Sequence, residues 1–154
     1  MRYSILKSRY GFTLIELMVA VAIIGILVTL ATGSFLTYQA KVKQAEAKTN
    51  LSSIGVLAQS YKTEYDTYIA GWANIGWQPL GSTRYRYWYN GEAAANTPTS
   101  PEAGVNYSDP GSAATADIFV AGAVGNIDND LSTDQWLYNQ GRRFTNLQND
   151  VVTP

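Results

Sequence analysis

Three carboxylates, Asp128, Asp130 and Asp134, fall in the run Gly125-Asn126-Ile127-Asp128-Asn129-Asp130-Leu131-Ser132-Thr133-Asp134. Carboxylates this close repel one another unless a cation or a set of donors compensates. With Asn126, Asn129 and backbone carbonyls they could offer several oxygens to Ca2+, which takes ~6 to 8. The later glutamate of an EF-hand is missing, and a polar hairpin turn with Asx caps is the alternative reading. A second constellation, Arg84-Tyr85-Arg86-Tyr87-Trp88-Tyr89, alternates tyrosines with Arg84, Arg86 and Trp88. That second face has the chemistry of a platform for single-stranded nucleic acid, glycans or a neighbouring subunit; arginines simply turned to water explain it equally well. The third feature is Glu16, the single charge in an apolar run.

Other chemistry is excluded by composition. The chain has no Cys and no His, so thiolate or imidazole metal sites, a cysteine nucleophile, a His-based triad and disulfides are all out of reach. No P-loop or dinucleotide motif occurs, and the remaining acid pairs have no evident cleft, so the chain is not expected to be an enzyme. Arg2, Lys7 and Arg9 precede the apolar run, and from Gly11 onward eight bases face twelve acids. A mildly acidic body makes nucleic acid an unlikely partner.

The elements that position these residues divide sharply. Residues 12–31 read FTLIELMVAVAIIGILVTLA, without proline. As a helix this run is ~30 Å long, the hydrocarbon thickness of a bilayer. The preceding bases favour a cytoplasmic start and an exported body, although Lys41, Lys43 and Lys48 weaken the bias. A secretory signal fits poorly, because its apolar core is shorter and Ala31-Thr32-Gly33-Ser34 is a weak cleavage site. A carboxylate within hydrocarbon costs roughly 2.5 to 3.5 kcal/mol and calls for a partner. No partner for Glu16 is evident in the intact sequence, and the alternative reading is that it lies at headgroup depth or is protonated.

Further along, Leu36, Ala40, Ala47, Leu51, Ile54, Ala58, Tyr61 and Tyr65 recur at helical spacing, so the helix is predicted to continue with one apolar stripe. Together the two segments predict a helix of about 50 residues. The stretch from Tyr68 to Gly81 reads as an irregular loop. Strands are predicted at 84–89, 117–124 and 135–139, with an uncertain last element at 142–152 and a loop at 90–111. The expected fold is α+β: a long N-terminal helix whose second half packs on a small antiparallel sheet.

The segment Gly11-Phe12-Thr13-Leu14-Ile15-Glu16-Leu17-Met18, after a short basic leader, resembles the processing site of bacterial type IV prepilins and pseudopilins. The resemblance implies a leader at 1–11, a transmembrane and filament-core segment at 12–31, an amphipathic continuation at 32–66 and a β head at 67–154. It implies cleavage between Gly11 and Phe12 by a prepilin peptidase, N-methylation of Phe12, and docking of subunits through Glu16. Cleavage would expose an ammonium group at Phe12 that the Glu16 of a neighbouring copy can meet. Gly25 and Gly33 match positions where the family helix loosens on assembly. The family often has proline where this chain has Gly33, and both glycines could equally serve close helix approach. Major pseudopilins use a calcium-bound C-terminal loop, which adds weight to Asp128, Asp130 and Asp134.

The implied partners are further copies of the chain, the peptidase, an inner-membrane assembly platform and, before assembly, the lipid bilayer. The implied location is the inner membrane, then an extracellular pilus or a periplasmic pseudopilus. Three functions are expected in order: a type IV pilus subunit, a type II secretion pseudopilin, and a monomeric membrane-anchored binding module using Arg84, Arg86 and Trp88.

Overall fold

The computed structural model describes residues 11–96, 98, 104–128 and 130–151. The leader bases Arg2, Lys7 and Arg9, Asn129 of the acidic run, and Val152 lie outside the described residues. The fold is α+β, in the order α1 (Leu14–Tyr65), α2 (Trp72–Ile75), β1 (Tyr85–Tyr89), β2 (Glu92–Ala93), β3 (Ala113–Ala114), β4 (Phe119–Gly125), β5 (Asp134–Asn139) and β6 (Phe144–Gln148). The chain divides into two compact units, the first ending at Phe35 and the second spanning Leu36–Pro154.

The first unit holds the apolar start of α1. Its large side chains are exposed on every face, from Phe12 at 77% to Leu30 at 74%, and none of its most apolar 18-residue window is buried. Helical hydrogen bonding runs unbroken through Gly25 and Gly33. The hydroxyls of Thr29 and Thr32 donate back to the carbonyls of Gly25 and Val28 at 2.9 and 3.0 Å. Polar groups in this run are therefore satisfied within the helix, as a lipid environment requires.

The second unit folds around the remaining part of α1. Ala47, Leu51, Ile54 and Ala58 are fully buried, with Ala40 and Tyr61 partly so. The two ends of the predicted stripe depart from expectation: Leu36 and Tyr65 are exposed, because the core takes only the stretch between Ala40 and Tyr61.

The strands form one antiparallel sheet in the order β2-β1-β4-β5-β6, with β3 also paired to β4. Its register explains the odd composition of β4. Ala121 lies between Tyr89 and Tyr138, Ala123 between Tyr87 and Trp136, and Gly125 between Tyr85 and Asp134. Small residues on the central strand leave room for the large rings on either side, all turned toward the helix. A Cβ at Gly125 would come within 2.6 Å of the Tyr85 ring. The helix makes the same concession at Gly55, where a Cβ would lie 2.3 Å from Tyr138 Cε1.

Two short elements arise where loops were predicted, and a third in the unassigned residues between the second loop and the strand expected at 117–124. The 68–81 segment contains α2, closed by Gly76 in the left-handed region (φ 67) with its N–H on the Trp72 carbonyl at 3.0 Å. Strand β2 follows β1 through Asn90 (φ 50) and Gly91 (φ 76), the conformation that favours Asn-Gly in two-residue hairpins. Strand β3 is only two residues long, too short for a period-2 pattern to reveal.

Candidate functional site

At the start of α1, Thr13 and Glu16 form a reciprocal cap. Glu16 Oε2 accepts from the Thr13 N–H at 2.9 Å and from the Thr13 hydroxyl at 2.6 Å, while the Glu16 N–H donates to Thr13 Oγ1 at 3.3 Å. This is a Thr-x-x-Glu capping box. It corrects the expectation that Glu16 lacks a local partner, and the Thr13-to-Glu16 spacing was the missed signal. The cap satisfies donors of the first turn but brings no positive charge, so the carboxylate remains without a counter-ion among the described residues. Gly11 and Phe12 precede the cap, both exposed and outside the helix.

The acidic loop leaves β4 after Gly125 and re-enters the sheet at Asp134. Asn126 Oδ1 accepts from the Asp128 N–H at 3.2 Å, Asp128 Oδ1 from the Asp130 N–H at 3.0 Å, and Asp130 Oδ1 from the Ser132 N–H at 2.7 Å. Successive Asx turns thus set the backbone. Asp128 and Asp130 meet a carboxylate the sequence reading missed, that of Asp150: one oxygen from each lies within 4.8 Å of the others. Asp150 Oδ2 accepts the Ile127 N–H at 3.1 Å, and its other oxygen accepts the Ser132 hydroxyl. Burial pushes the Asp150 carboxyl up, helped by repulsion from Asp128 and Asp130, whereas the Ser132 hydroxyl and N–H hold exposed Asp130 down.

Asp134 does not join this group. It is fully buried and surrounded by donors: Tyr85 Oη at 2.7 Å and Trp136 Nε1 at 2.5 Å on Oδ2, Gln44 Nε2 at 2.9 Å and Asn146 Nδ2 at 3.1 Å on Oδ1. The physical reason lies in the register, which puts Asp134 beside Gly125 in the row headed by Tyr85. Its lone pairs serve the core, and Asp150 takes its expected place in the cluster. Gln44 also donates to Asn149 Oδ1 at 2.8 Å, and Lys43 Nζ donates to the Ile127 carbonyl. Through these two residues α1 holds both sides of the loop.

The aromatic and basic strand β1 keeps the expected alternation of faces, but its second face is partly covered. Tyr85, Tyr87 and Tyr89 are buried, as their alternation predicts, and their phenols are raised chiefly by burial. Arg84, Arg86 and Trp88 occupy the opposite face but are only half-exposed. Arg86 stacks over the Tyr107 ring at 5.8 Å, and Pro110 fills the space above Gly122 next to Trp88. The Nε atom of Arg86 and Nε1 of Trp88 are buried. Residues 104–112 therefore cover much of the face that was read as an open platform, because the Gly122 gap receives the Pro110 ring.

Comparison with known proteins adds an independent line. The family pattern described as the prokaryotic N-terminal methylation motif matches residues 6–32. The chain is similar to the type IV major pilin protein PilA of Myxococcus xanthus, 48% identical over 77 residues, which cover 50% of this chain but only 35% of that pilin. It is similar to the type II secretion system core protein G of Pseudomonas aeruginosa, 28% identical over 137 residues, covering 84% of this chain and 96% of the relative. A fimbrial protein of Pseudomonas aeruginosa is 42% identical over 55 residues, 36% of each chain.

Proposed function

We propose, on the premise that this chain belongs to the type IV pilin and pseudopilin family, a family of structural subunits and not of enzymes, that it is a subunit of a type IV pilus. In this reading the chain is stored in the inner membrane, cut between Gly11 and Phe12, methylated at Phe12 and polymerised through α1. The observation that carries it is the apolar run headed by Glu16, whose side chains are uncovered on every face. Such a surface needs lipid or other copies of itself. Cleavage supplies an ammonium group at Phe12, and Glu16 supplies its complement. A capped but uncompensated carboxylate is costly in lipid, and the pairing relieves that cost in the filament. Gly25 and Gly33 allow α1 to loosen or to approach its neighbours closely, and the peptidase and the inner-membrane assembly platform are the implied partners.

The experiment is Glu16→Ala in a deletion background. Processed subunit that accumulates in the membrane without filaments supports the reading; filaments as abundant as wild type, or a mature chain that retains Gly11, refute it.

A second reading, a pseudopilin of type II secretion, is supported by the near full-length match to core protein G and by the carboxylate group of Asp128, Asp130 and Asp150. We propose that these three residues, rather than the set with Asp134, would hold Ca2+ together with loop carbonyls. Asp150 is the buried member whose charge most needs a counter-ion. The bound ion would supply positive charge and tie the 125–134 loop to the C-terminal segment. Calorimetry of the full chain with and without chelator tests this, and an unchanged melting temperature sinks the site. Surface fibres that disappear on gene deletion, with secretion intact, favour the pilus; lost secretion with no fibres favours the pseudopilus.

A further inference from the structure

The segment between α1 and β1 builds a cavity that is not lined by the apolar start of α1. It has a volume of about 410 Å³ and is lined by Trp72, Ala73, Gly76, Trp77, Gln78 and Pro79, with Ala94 and Ala95 closing one side. That size falls within the range of about 300 to 1,000 Å³ typical of small-molecule sites. Two of the chain's four tryptophans stand together there, their ring centroids 5.2 Å apart at 41°. Behind them Tyr89 and Tyr87 pack at 6.0 and 5.1 Å.

Both indole donors are spent on the protein. Trp72 Nε1 donates to the Glu92 carbonyl at 3.1 Å and Trp77 Nε1 to Ser53 Oγ at 2.8 Å. These bonds fix the rings and leave ring carbon surface for the cavity. Trp77 is almost wholly buried, whereas Trp72 is half-exposed. Most of the other lining residues are small, and Gly76, the cap of α2, adds bare backbone with open space around it. Exposed Gln78 adds a side chain that both donates and accepts. None of the lining side chains carries a charge.

A fixed aromatic wall, a small-residue floor, an amide at the rim and no charge together define the ligand. An ion would find no counter-charge and would lose its hydration without return. A wholly apolar molecule would bury Gln78 and the backbone carbonyls without partners. A neutral ring with an apolar face and hydrogen-bonding edges satisfies both walls at once. We propose that this cavity binds a neutral saccharide unit, with the C–H face of the sugar on Trp72 and its hydroxyls on Gln78. This goes beyond the filament reading and does not depend on it, since the cavity belongs wholly to the Leu36–Pro154 unit.

The test is a titration of the full chain in a zwitterionic, sugar-free detergent with maltose, cellobiose and N,N′-diacetylchitobiose, followed by tryptophan fluorescence and indole NH resonances. The expected result is a saturable shift of the Trp72 signal with at least one of these sugars. Gln78→Ala is expected to weaken it about tenfold, and Ala73→Arg, which fills the cavity from an exposed helical position, to abolish it. Both positions are exposed, so neither variant should disturb the core; a tryptophan emission spectrum unchanged from wild type checks this. No shift with any of the three sugars, or a shift that survives Ala73→Arg in the folded protein, overturns the proposal. A stronger response to glucuronate or glucosamine than to the neutral sugars also overturns it.

Discussion

Replacing Asp134 by Asn preserves shape and removes one buried charge, so its effect measures what the donor ring around that carboxylate contributes. Two donors converge on Oδ2, Tyr85 Oη and Trp136 Nε1, and three on Oδ1, Gln44 Nε2, Asn146 Nδ2 and, at 3.5 Å, the Asp150 N–H. Whichever way the Asn amide turns, its NH2 faces at least two groups arranged to donate. Two charge-assisted hydrogen bonds are lost, worth ~1.5 to 3 kcal/mol each. Part of that is returned because a buried charge no longer has to be desolvated. The expected net loss is about 3 kcal/mol, or a fall of about 10 °C in melting temperature for a domain of this size. Near-ultraviolet circular dichroism of the full chain in detergent follows the aromatic core rather than the helix. Asp128→Asn, melted like the others in chelator so that the proposed calcium site plays no part, is the control, since it makes the same chemical change outside the core. If Asp134→Asn melts within 2 °C of wild type, or if the control loses as much, the reasoning fails.

Gly55→Ala is expected to cost ~1 to 3 kcal/mol by overpacking, because the new methyl lies 2.3 Å from Tyr138 Cε1; urea unfolding checks this, and an unchanged midpoint contradicts it. The buried phenols of Tyr85, Tyr87 and Tyr89 are all raised above the ordinary value of 10.0. Their contribution to stability is whole below pH ~10 and drains away as pH rises toward the folded values. An alkaline titration should therefore show tyrosinate absorbance from these three only together with loss of the near-ultraviolet signal. Ionisation in the still-folded protein refutes it. If Ca2+ binds as proposed, Asp150→Asn should remove the calcium-dependent part of the melting temperature. Asp134→Asn should lower melting by a similar amount with and without the ion; calorimetry with and without chelator separates the two.

How legible the molecule was follows from the kind of signal each part carries. The long helix was plain because twenty residues without a break and the stripe from Ala40 to Tyr61 leave few alternatives. Strands β1, β4 and β5 announced themselves through alternation or an uninterrupted apolar run. Strand β2 was marked by Asn90-Gly91, a signal passed over because the surrounding residues look like loop. Asp134 misled because sequence proximity to Asp128 and Asp130 suggested a shared task, whereas the pairing of Gly125 with Asp134 turns it into the core. Asp150 was invisible for the opposite reason: it reaches the cluster from eighteen residues beyond Ser132, through the β5–β6 hairpin. The Arg86 and Trp88 face was legible as a face, but the chain's own 104–112 segment lying on it was not.

Among the described residues, the order β2-β1-β4-β5-β6 leaves the far side of β6 without a neighbour. That rim is five residues long and carries the exposed side chains Phe144 and Leu147. Left bare, such a border invites another chain to add itself by backbone pairing. Arg142 and Arg143 stand immediately before it, both exposed, and two copies approaching rim to rim would bring like charges together. Charge beside such a rim opposes cross-β association on general grounds. Exchanging both for serine would leave the fold intact and expose any tendency of crowded heads to clump into sheets.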